Sequence, residues 1–414
     1  MYLSKMERRD QYSLVLQNKP WIATMQPSDH IRQIAVLVET DDSWGCSVIR
    51  GIADYSQNHG HWNLLIDPRD HEQRSALPDL WSGDGIIARI GTRTQLDQIR
   101  ERGLPTVNVD TVFEGLDGIL DVVTDDQERA ALAFGHMRDR GFEQFAYFAP
   151  PSRKYSAKRG QAFVATVKRA GFDCREYKPG YRVGRKIGWG EQQRRVSRWL
   201  SSLPSPVAIF TVNAQCGRQL AEICYLSNIR VPDEVAILAG DTDELLCDVC
   251  TPPLSSIAVA GQRIGYEAAA LLDRTMLGEQ PSAEPRLVPP EGVISRQSTD
   301  ILAIDDEVVV HALRYIQTHA FHDIAVKDIL REVPVSRRSL EIQFQKYLGR
   351  SPAEEIRRVR LEKGKAMLSR TDLPISEIAL ACGFSNATRF GVAFRKRFRQ
   401  TPLEYRKKLV RSTG

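Results

Sequence analysis

Short apolar runs alternate with amphipathic helical stretches between residue 31 and about residue 296. Seven runs have the length and composition of buried strands, namely 34–38, 64–66, 85–87, 106–109, 145–148, 208–211 and 235–238. Helical spacing of apolar positions predicts helices between them at 48–58, 128–140, 161–169, 191–200, 217–227 and 263–277. Strands that alternate with helices are typical of α/β folds with parallel sheets, and about 265 residues are enough for two lobes.

The pattern changes near Ser295. Residues 297–300 are polar, and beyond residue 305 almost every segment has helical rather than strand-like spacing. A chain of 414 residues also exceeds what one hydrophobic core usually serves. We therefore predict four segments: an N-terminal extension at 1–30, an α/β domain at 31–296, a linker at 297–305 and an all-α domain at 306–410.

The all-α domain contains an internal repeat of 50 residues. Shifting the sequence by this period places Leu340 on Phe390, Phe344 on Phe394, Ser351-Pro352 on Thr401-Pro402 and Glu354 on Glu404. Each copy predicts two helices around a tight turn, at 326–332 and 337–347 in the first copy and at 375–381 and 387–397 in the second. Ser336 and Asn386 are suitable N-caps, and Gly383 can adopt the positive φ that a tight turn needs. Two helix-turn-helix units are therefore expected.

Basic charge is concentrated in this domain. Residues 306–414 carry 22 Lys and Arg against 12 Asp and Glu, whereas residues 1–305 carry 35 against 40. A basic domain attracts a polyanion because binding releases the counterions of the polyanion. Charge therefore suggests nucleic acid as the partner, with a merely solvated basic surface as the alternative.

The second copy contains IALACGFSN at 378–386 and TPLEYR at 401–406, which resemble the arabinose-regulator family of DNA-binding domains. The resemblance covers about 100 residues and implies two recognition helices in successive major grooves of double-stranded DNA. By position, the candidate DNA-binding residues are Arg337, Arg338, Glu341 and Ile342 on the first helix, and Asn386, Thr388, Arg389, Val392 and Lys396 on the second. Arg338 and Arg389 are candidates to read guanine, whereas Lys396 is a candidate phosphate contact.

The α/β domain resembles the two-lobed periplasmic-binding-protein fold of the lac-repressor family. The resemblance rests on RGQAF at 159–163, on Asn213 and on AGDTD at 239–243, and the pairing of both domains is similar to that of the xylose-operon regulators. It implies a transcription regulator whose effector is a sugar such as D-xylose, bound in the cleft between the lobes. The candidate ligand-binding residues are Trp44, Asp125, Arg159, Asn213 and Asp241.

Other functions stay open at this point. Ala214 and Val259 stand where relatives carry Asp and Gln, so the ligand could be a different sugar. Cys247 and Cys250 have the spacing of a metal or redox pair, which would change the signal but not the DNA binding. An enzyme is the remote alternative, because the chain has no phosphate-binding loop and no paired carboxylates with an evident partner. No cofactor and no metal are expected.

The remaining expectations concern context. No apolar run is long enough for a bilayer. The seven cysteines are an odd number spread along a long chain, unlike the dense even sets of secreted disulfide scaffolds, so we expect the reducing cytoplasm. We expect a homodimer in which ligand closes the lobes and repositions the DNA-binding domains. The sequence does not decide between activation and repression.

Overall fold

The computed structural model describes residues 31–69, 76–113, 115–149, 154–178, 188–282, 284–301, 303–304, 306–322, 324–371, 373–398 and 400–410. The extension predicted at 1–30 lies outside the described residues.

Twelve strands occur in the described part of the chain, and all of them precede the helical domain. They are β1 Gln33–Leu37, β2 Asn63–Ile66, β3 Gly85–Ala88, β4 Thr106–Asn108, β5 Ile119–Thr124, β6 Phe145–Phe148, β7 Cys174–Glu176, β8 Val207–Thr211, β9 Val235–Ala239, β10 Ser255–Ala258, β11 Arg286–Val288 and β12 Gly292–Ile294. They form two six-stranded sheets, with strand orders β11-β5-β4-β3-β1-β2 and β12-β10-β9-β8-β6-β7. Every pairing is parallel except that of β10 with β12.

Within the same described residues, eight helices cover these sheets. They are α1 Ser43–His59, α2 Arg93–Arg102, α3 Asp126–Arg138, α4 Lys154–Arg169, α5 Trp189–Ser201, α6 Ala214–Leu226, α7 Glu244–Val249 and α8 Gly261–Met276. Lobe I consists of the first sheet with α1, α2 and α8, and lobe II of the second sheet with α3 to α7. The chain crosses between the lobes three times, before α3, before α8 and between β11 and β12. The strand ends that precede these crossings therefore face a cleft between the lobes.

The C-terminal domain is entirely helical in its described residues. Its helices are α9 Glu307–His319, α10 Val326–Glu332, α11 Arg337–Leu348, α12 Pro352–Arg370, α13 Ile375–Ala381, α14 Ala387–Phe398 and α15 Pro402–Val410. The 19-residue α12, roughly 28 Å long, separates a unit formed by α10 and α11 from one formed by α13 and α14.

The sequence repeat is also a structural repeat. Leu340 and Phe344 are buried in the core of the first unit, and Phe390 and Phe394 are buried in that of the second. Ser351 and Thr401 begin α12 and α15 in the same way, since each hydroxyl accepts a bond from the backbone N–H of the glutamate three residues later. That glutamate accepts a bond in return from the backbone N–H of its Ser or Thr, which completes a capping box.

The predicted α/β class with an all-α helix-turn-helix domain is confirmed, and all seven predicted strands are present within two residues of their expected bounds. Five strands were not predicted, namely β5, β7, β10, β11 and β12. The segment predicted as the linker, 297–305, begins with residues that pack against lobe II. Ser298 is buried there, and its hydroxyl donates to the carbonyl of Ile237 and accepts from the backbone N–H of Ser255.

Candidate ligand cleft and DNA-binding surface

A cavity of about 440 Å³ lies between the lobes and is lined by residues of both. Its volume falls within the ~300–1,000 Å³ typical of small-molecule sites. The hydroxyl of Ser43 in lobe I donates a 2.8 Å hydrogen bond to the Asp243 carboxylate in lobe II. This bond joins the two walls directly, so the lobes are close together in the structure.

The wall from lobe I is built around Arg89, which directly follows β3. Its guanidinium bonds to Asp110 at 3.0 Å, Glu39 at 2.9 Å and Asp42 at 2.7 Å, and it lies over the Trp44 ring at 4.9 Å. Burial by itself would lower the pKa of Arg89, but these three carboxylates raise it above its ordinary value. The arginine is therefore a permanent cation that fixes the Trp44 ring against the cavity.

The wall from lobe II contains Arg159, Asn213 and Asp241. The Arg159 guanidinium donates to the backbone carbonyl of Val212 and lies over the Tyr155 ring. Asn213 caps α6 by accepting from Cys216 N–H, and Asp241 accepts from Ala214 N–H at 2.8 Å. Burial raises the pKa of Asp241 while Arg159 opposes that shift. Backbone and side-chain bonds thus hold Asn213 and Asp241 in place just after the ends of β8 and β9, and Arg159 in place within α4.

Arg129 is a deeply buried cation that also lines the cavity. Burial, followed by the nearby charge of Arg159, lowers the pKa of Arg129 to about 10, so the group stays protonated at neutral pH. Asp126 lies 3.3 Å from the Nε of Arg129 and 3.5 Å from the Nε of Arg159. Among the described residues, however, Nε and Nη1 of Arg129 have no hydrogen-bond partner. A buried donor without a partner costs about 1–3 kcal/mol, which a ligand hydroxyl or a water can offset.

The structure brings four of the five predicted ligand residues together. Trp44, Arg159, Asn213 and Asp241 line the cavity, whereas Asp125 is the N-cap of α3, where its carboxylate accepts from the N–H groups of Gln127 and Glu128. Sequence reasoning missed Arg89, Asp110, Arg129 and Tyr155. The first two could have been found, because each follows a parallel strand within two residues and such positions face ligand sites. Arg129 lies within a helix and gives no such signal.

Acidic side chains outnumber basic ones around the cavity. Six carboxylates line it against four guanidinium groups: Glu39, Asp41, Asp42, Asp110, Asp241 and Asp243 against Arg89, Arg129, Arg159 and Arg218. Carboxylates accept and guanidinium groups donate hydrogen bonds, and an aromatic ring covers apolar faces. The arrangement therefore suits a neutral molecule rich in hydroxyl groups and disfavours a phosphate ester.

In the helical domain, α11 and α14 are the second helices of the two helix-turn-helix units. The Ser336 hydroxyl and the Asn386 amide oxygen accept from backbone N–H groups three residues later and so begin these helices. Gly383 has a φ of 77°, as the tight turn between α13 and α14 was predicted to need. Each unit therefore has the architecture that its sequence predicts.

All nine predicted DNA-binding residues are exposed. Ile342 and Val392 are exposed by 59% and 67%, which is unusual for apolar side chains within helices. Arg337 pairs with Glu341 at 3.0 Å, whereas no hydrogen bond or ion pair of the Arg338 or Arg389 guanidinium occurs within the described residues. An arginine donor next to an exposed methyl group is the combination that reads guanine and thymine in a major groove.

The cysteines of the alternative interpretation, Cys247 and Cys250, are buried. All seven cysteines are free, and burial raises the pKa of the Cys250 thiol to about 11 and that of Cys247 above its ordinary value. A protonated thiol is a poor nucleophile and a poor metal ligand. Within the described residues, no group of three His, Cys, Asp or Glu side chains could hold a metal ion. None of the helices that the structure describes is both long enough and apolar enough to cross a bilayer.

A two-lobed cleft joined to a pair of exposed recognition helices defines a ligand-responsive DNA-binding transcription regulator. Three family models match successive segments of the chain: a XylR N-terminal domain at 33–123, a periplasmic binding protein-like domain at 134–299 and a helix-turn-helix domain at 329–408.

Relatives match along nearly the whole chain. The xylose operon regulatory protein of Haemophilus influenzae is 30% identical over 90% of this chain and 98% of its own length. That of Escherichia coli K12 is 29% identical over 90% and 96%. The solved structure of the xylose-binding transcription activator XylR aligns with a TM-score of 0.59 at 28% identity, covering 91% of this chain and 98% of its own. The chain belongs to the family of xylose operon regulatory proteins, and it is a regulator rather than an enzyme.

Proposed function

We propose that this protein activates sugar-catabolic genes in response to D-xylose or a closely related free pentose bound in the cleft. The observation that carries this proposal is the cavity between the lobes, where carboxylates, arginines and one tryptophan surround a volume of about 440 Å³. The xylose operon regulatory proteins among the relatives support xylose as the effector. The aligned solved structure is that of a xylose-binding transcription activator, which supports activation.

The site residues of this proposal are a subset of the cavity wall. Asp241 and Asn213 bind hydroxyl groups, Arg129 and Arg159 donate to ring or hydroxyl oxygens, and Trp44 covers the apolar face of the sugar. Asp125 does not bind the sugar in this proposal and contributes only by capping α3. Ala214 and Val259 also line the cavity and present apolar surface. They reduce the number of polar partners, so we propose fewer direct hydrogen bonds to the sugar in this chain than a cleft with polar side chains at both positions would make.

The DNA contacts of this proposal are the nine exposed residues of α11 and α14. Arg338 and Arg389 read bases, Ile342 and Val392 contact thymine methyl groups, and Lys396 binds phosphate. The sensor comprises 31–296 and the DNA-binding domain 306–410. We propose further that the protein acts in the cytoplasm, where its DNA is, and that it binds as a homodimer to repeated half-sites.

Thermal unfolding of the purified protein against a sugar panel tests the ligand. The panel contains D-xylose, L-arabinose, D-ribose, D-glucose and D-xylulose 5-phosphate. A ligand that binds only the folded state stabilises it, by about 2.7 kcal/mol at 100 times its Kd. We expect D-xylose to raise the melting temperature most and the phosphate ester to leave it unchanged.

The control is Asp241→Asn, which keeps the size of the side chain and removes a charge from the cleft. It should abolish the sugar-dependent rise without lowering the melting temperature of the free protein by more than a few degrees. A larger rise with the phosphate ester than with any free sugar would contradict the proposed ligand class. A rise that is largest with D-glucose would contradict a pentose.

A further inference from the structure

Helix α3 connects the ligand cleft with the DNA-binding domain. Arg129, one turn from its start, lines the cavity, and Asp139, directly after its end, contacts the helical domain. Thirteen residues of helix span roughly 20 Å. Since a helix is a stiff rod over this length, a shift at one end is carried to the other.

At its far end Asp139 binds two arginines of the DNA-binding domain. One carboxylate oxygen lies 3.0 Å from Arg350 Nη2, and the other accepts from Arg358 Nη1 at 2.6 Å. The same two arginines bind Glu355 at 2.5 and 2.8 Å, and that side chain is only 1% exposed. Two carboxylates and two guanidinium groups thus form a compact network that spans both domains, which we call the Asp139 network.

The chain also passes from one domain to the other at this end of α3. His136 Nε2 lies 2.8 Å from the Thr299 hydroxyl, and Arg140 Nε donates to the Thr299 carbonyl at 2.7 Å. Ala303 N–H donates to the Arg140 carbonyl, also at 2.7 Å. The same end of α3 therefore holds both the chain segment that connects the two domains and the ionic contact of Asp139 with the DNA-binding domain.

We propose that Asp139 is a positioning residue for the regulatory response: through Arg350 and Arg358 it fixes the DNA-binding domain to α3, so that ligand-dependent movement of lobe II changes operator affinity. Asp139 lies at the opposite end of α3 from the cleft and is not among the residues that line the cavity. It acts on coupling between two sites and not on either site alone.

The second carboxylate of the network, Glu355, makes it possible to test the role of Asp139 by substitution. In Asp139→Asn both arginines keep a buried carboxylate, so the DNA-binding domain stays folded while its contact with the sensor weakens. Glu143→Gln is the matched control, because Glu143 lies four residues further on, is 63% exposed and only reaches Arg138 at 4.0 Å.

The first experiment measures operator affinity of the full-length protein with and without sugar, and sugar affinity by calorimetry. Couplings between sites typically amount to about 5- to 150-fold. In Asp139→Asn we expect the ratio of the two operator affinities to fall at least about fivefold towards unity, with sugar affinity changed less than about twofold. Asp139→Glu should restore part of the ratio, and Arg350→Gln added to Asp139→Asn should lower it no further.

Three results would overturn the proposal: an unchanged ratio in Asp139→Asn, an equal fall in Glu143→Gln, or a fall accompanied by loss of sugar binding. Because the inference rests on the sugar response proposed above, a second readout needs no sugar. Hydrogen exchange should speed up at 299–304 and 347–358 in Asp139→Asn and not in Glu143→Gln. If no sugar affects the wild-type protein, the proposed effector fails, while absence of this faster exchange would still refute the role of Asp139.

Discussion

Arg389 and Lys396 are two exposed cations on the recognition helix α14, and we expect them to make different kinds of contact with DNA. Arg389 lies near the start of α14, next to the N-cap that would point at base edges, and Lys396 lies near the end, in the run Arg395-Lys396-Arg397. Bidentate arginine contacts discriminate between bases, whereas contacts with phosphate are independent of sequence. Removing the positive charge of Arg389 should therefore affect DNA binding differently from removing that of Lys396.

Arg389→Ala should cost about 1–3 kcal/mol of binding to the preferred operator and relax the base preference at one position. Lys396→Ala should weaken binding to every duplex by a similar factor and lower the slope of log affinity against log salt by about one. Fluorescence anisotropy with operator variants at several salt concentrations measures both effects. Equal losses on all sequences for both variants would mean that Arg389 contacts phosphate rather than a base.

At the scale of elements, the turn between α13 and α14 packs against the end of α9. A Cβ atom on Gly383 would lie 2.8 Å from the Ala320 carbonyl oxygen and 3.1 Å from that of Phe321. The φ of 77° at Gly383 is also unfavourable for any residue with a side chain. This glycine therefore allows the second helix-turn-helix unit to pack against the end of α9.

Gly383→Ala should lower the free energy of unfolding by about 2–3 kcal/mol, since left-handed strain and the close contact add. Gly391→Ala is the control, because Gly391 lies within α14 and a Cβ there would have no neighbour within 4 Å. It should be neutral or stabilising by up to about 1 kcal/mol. Urea unfolding of the full-length variants compares them, and a similar stability for both would show that the turn tolerates a side chain.

At the scale of the whole molecule, the Asp139 network should make the stability of the folded protein depend on pH through Glu355. Burial alone would raise the pKa of Glu355, but the hydrogen bonds and charges of Arg358 and Arg350 lower it below its ordinary value. A carboxylate with a depressed pKa stabilises the folded state above the unfolded pKa, about 4.3 for Glu, and loses this contribution as the pH falls through the folded pKa.

Glu355→Gln should therefore destabilise the protein by about 3 kcal/mol at pH 7, because two arginines lose their buried partner. The difference from the wild type should shrink below about pH 4. Glu362→Gln, on the same helix at a half-exposed position, should change stability by less than about 0.5 kcal/mol. Urea unfolding between about pH 3 and pH 7 measures these differences, and a constant difference across that range would contradict the assignment to ionised Glu355.

The sequence predicted the long apolar strands of each sheet better than its short or polar ones. β1, β3, β6, β8 and β9 are largely apolar runs buried on both sides, which is the pattern that a parallel sheet imposes. The missed β7, β11 and β12 have three residues each, and β10 contains two serines, of which Ser255 bonds to Arg296 and Thr299. These four short or polar strands owe their structure to their neighbours, so no local pattern marks them. The fifth missed strand, β5, has six residues and is mostly apolar, so its local pattern could have been found.

The sequence by itself determined the α/β class, the repeated helix-turn-helix units and the exposed faces of their second helices. These features depend on periodicity, caps and turn residues within about 50 positions. Only the tertiary structure decided that Arg129 lines the cleft and that Asp139 binds Arg358, 219 positions away. Contacts of this kind depend on how two lobes and a helical domain come together, and local propensity does not encode that arrangement.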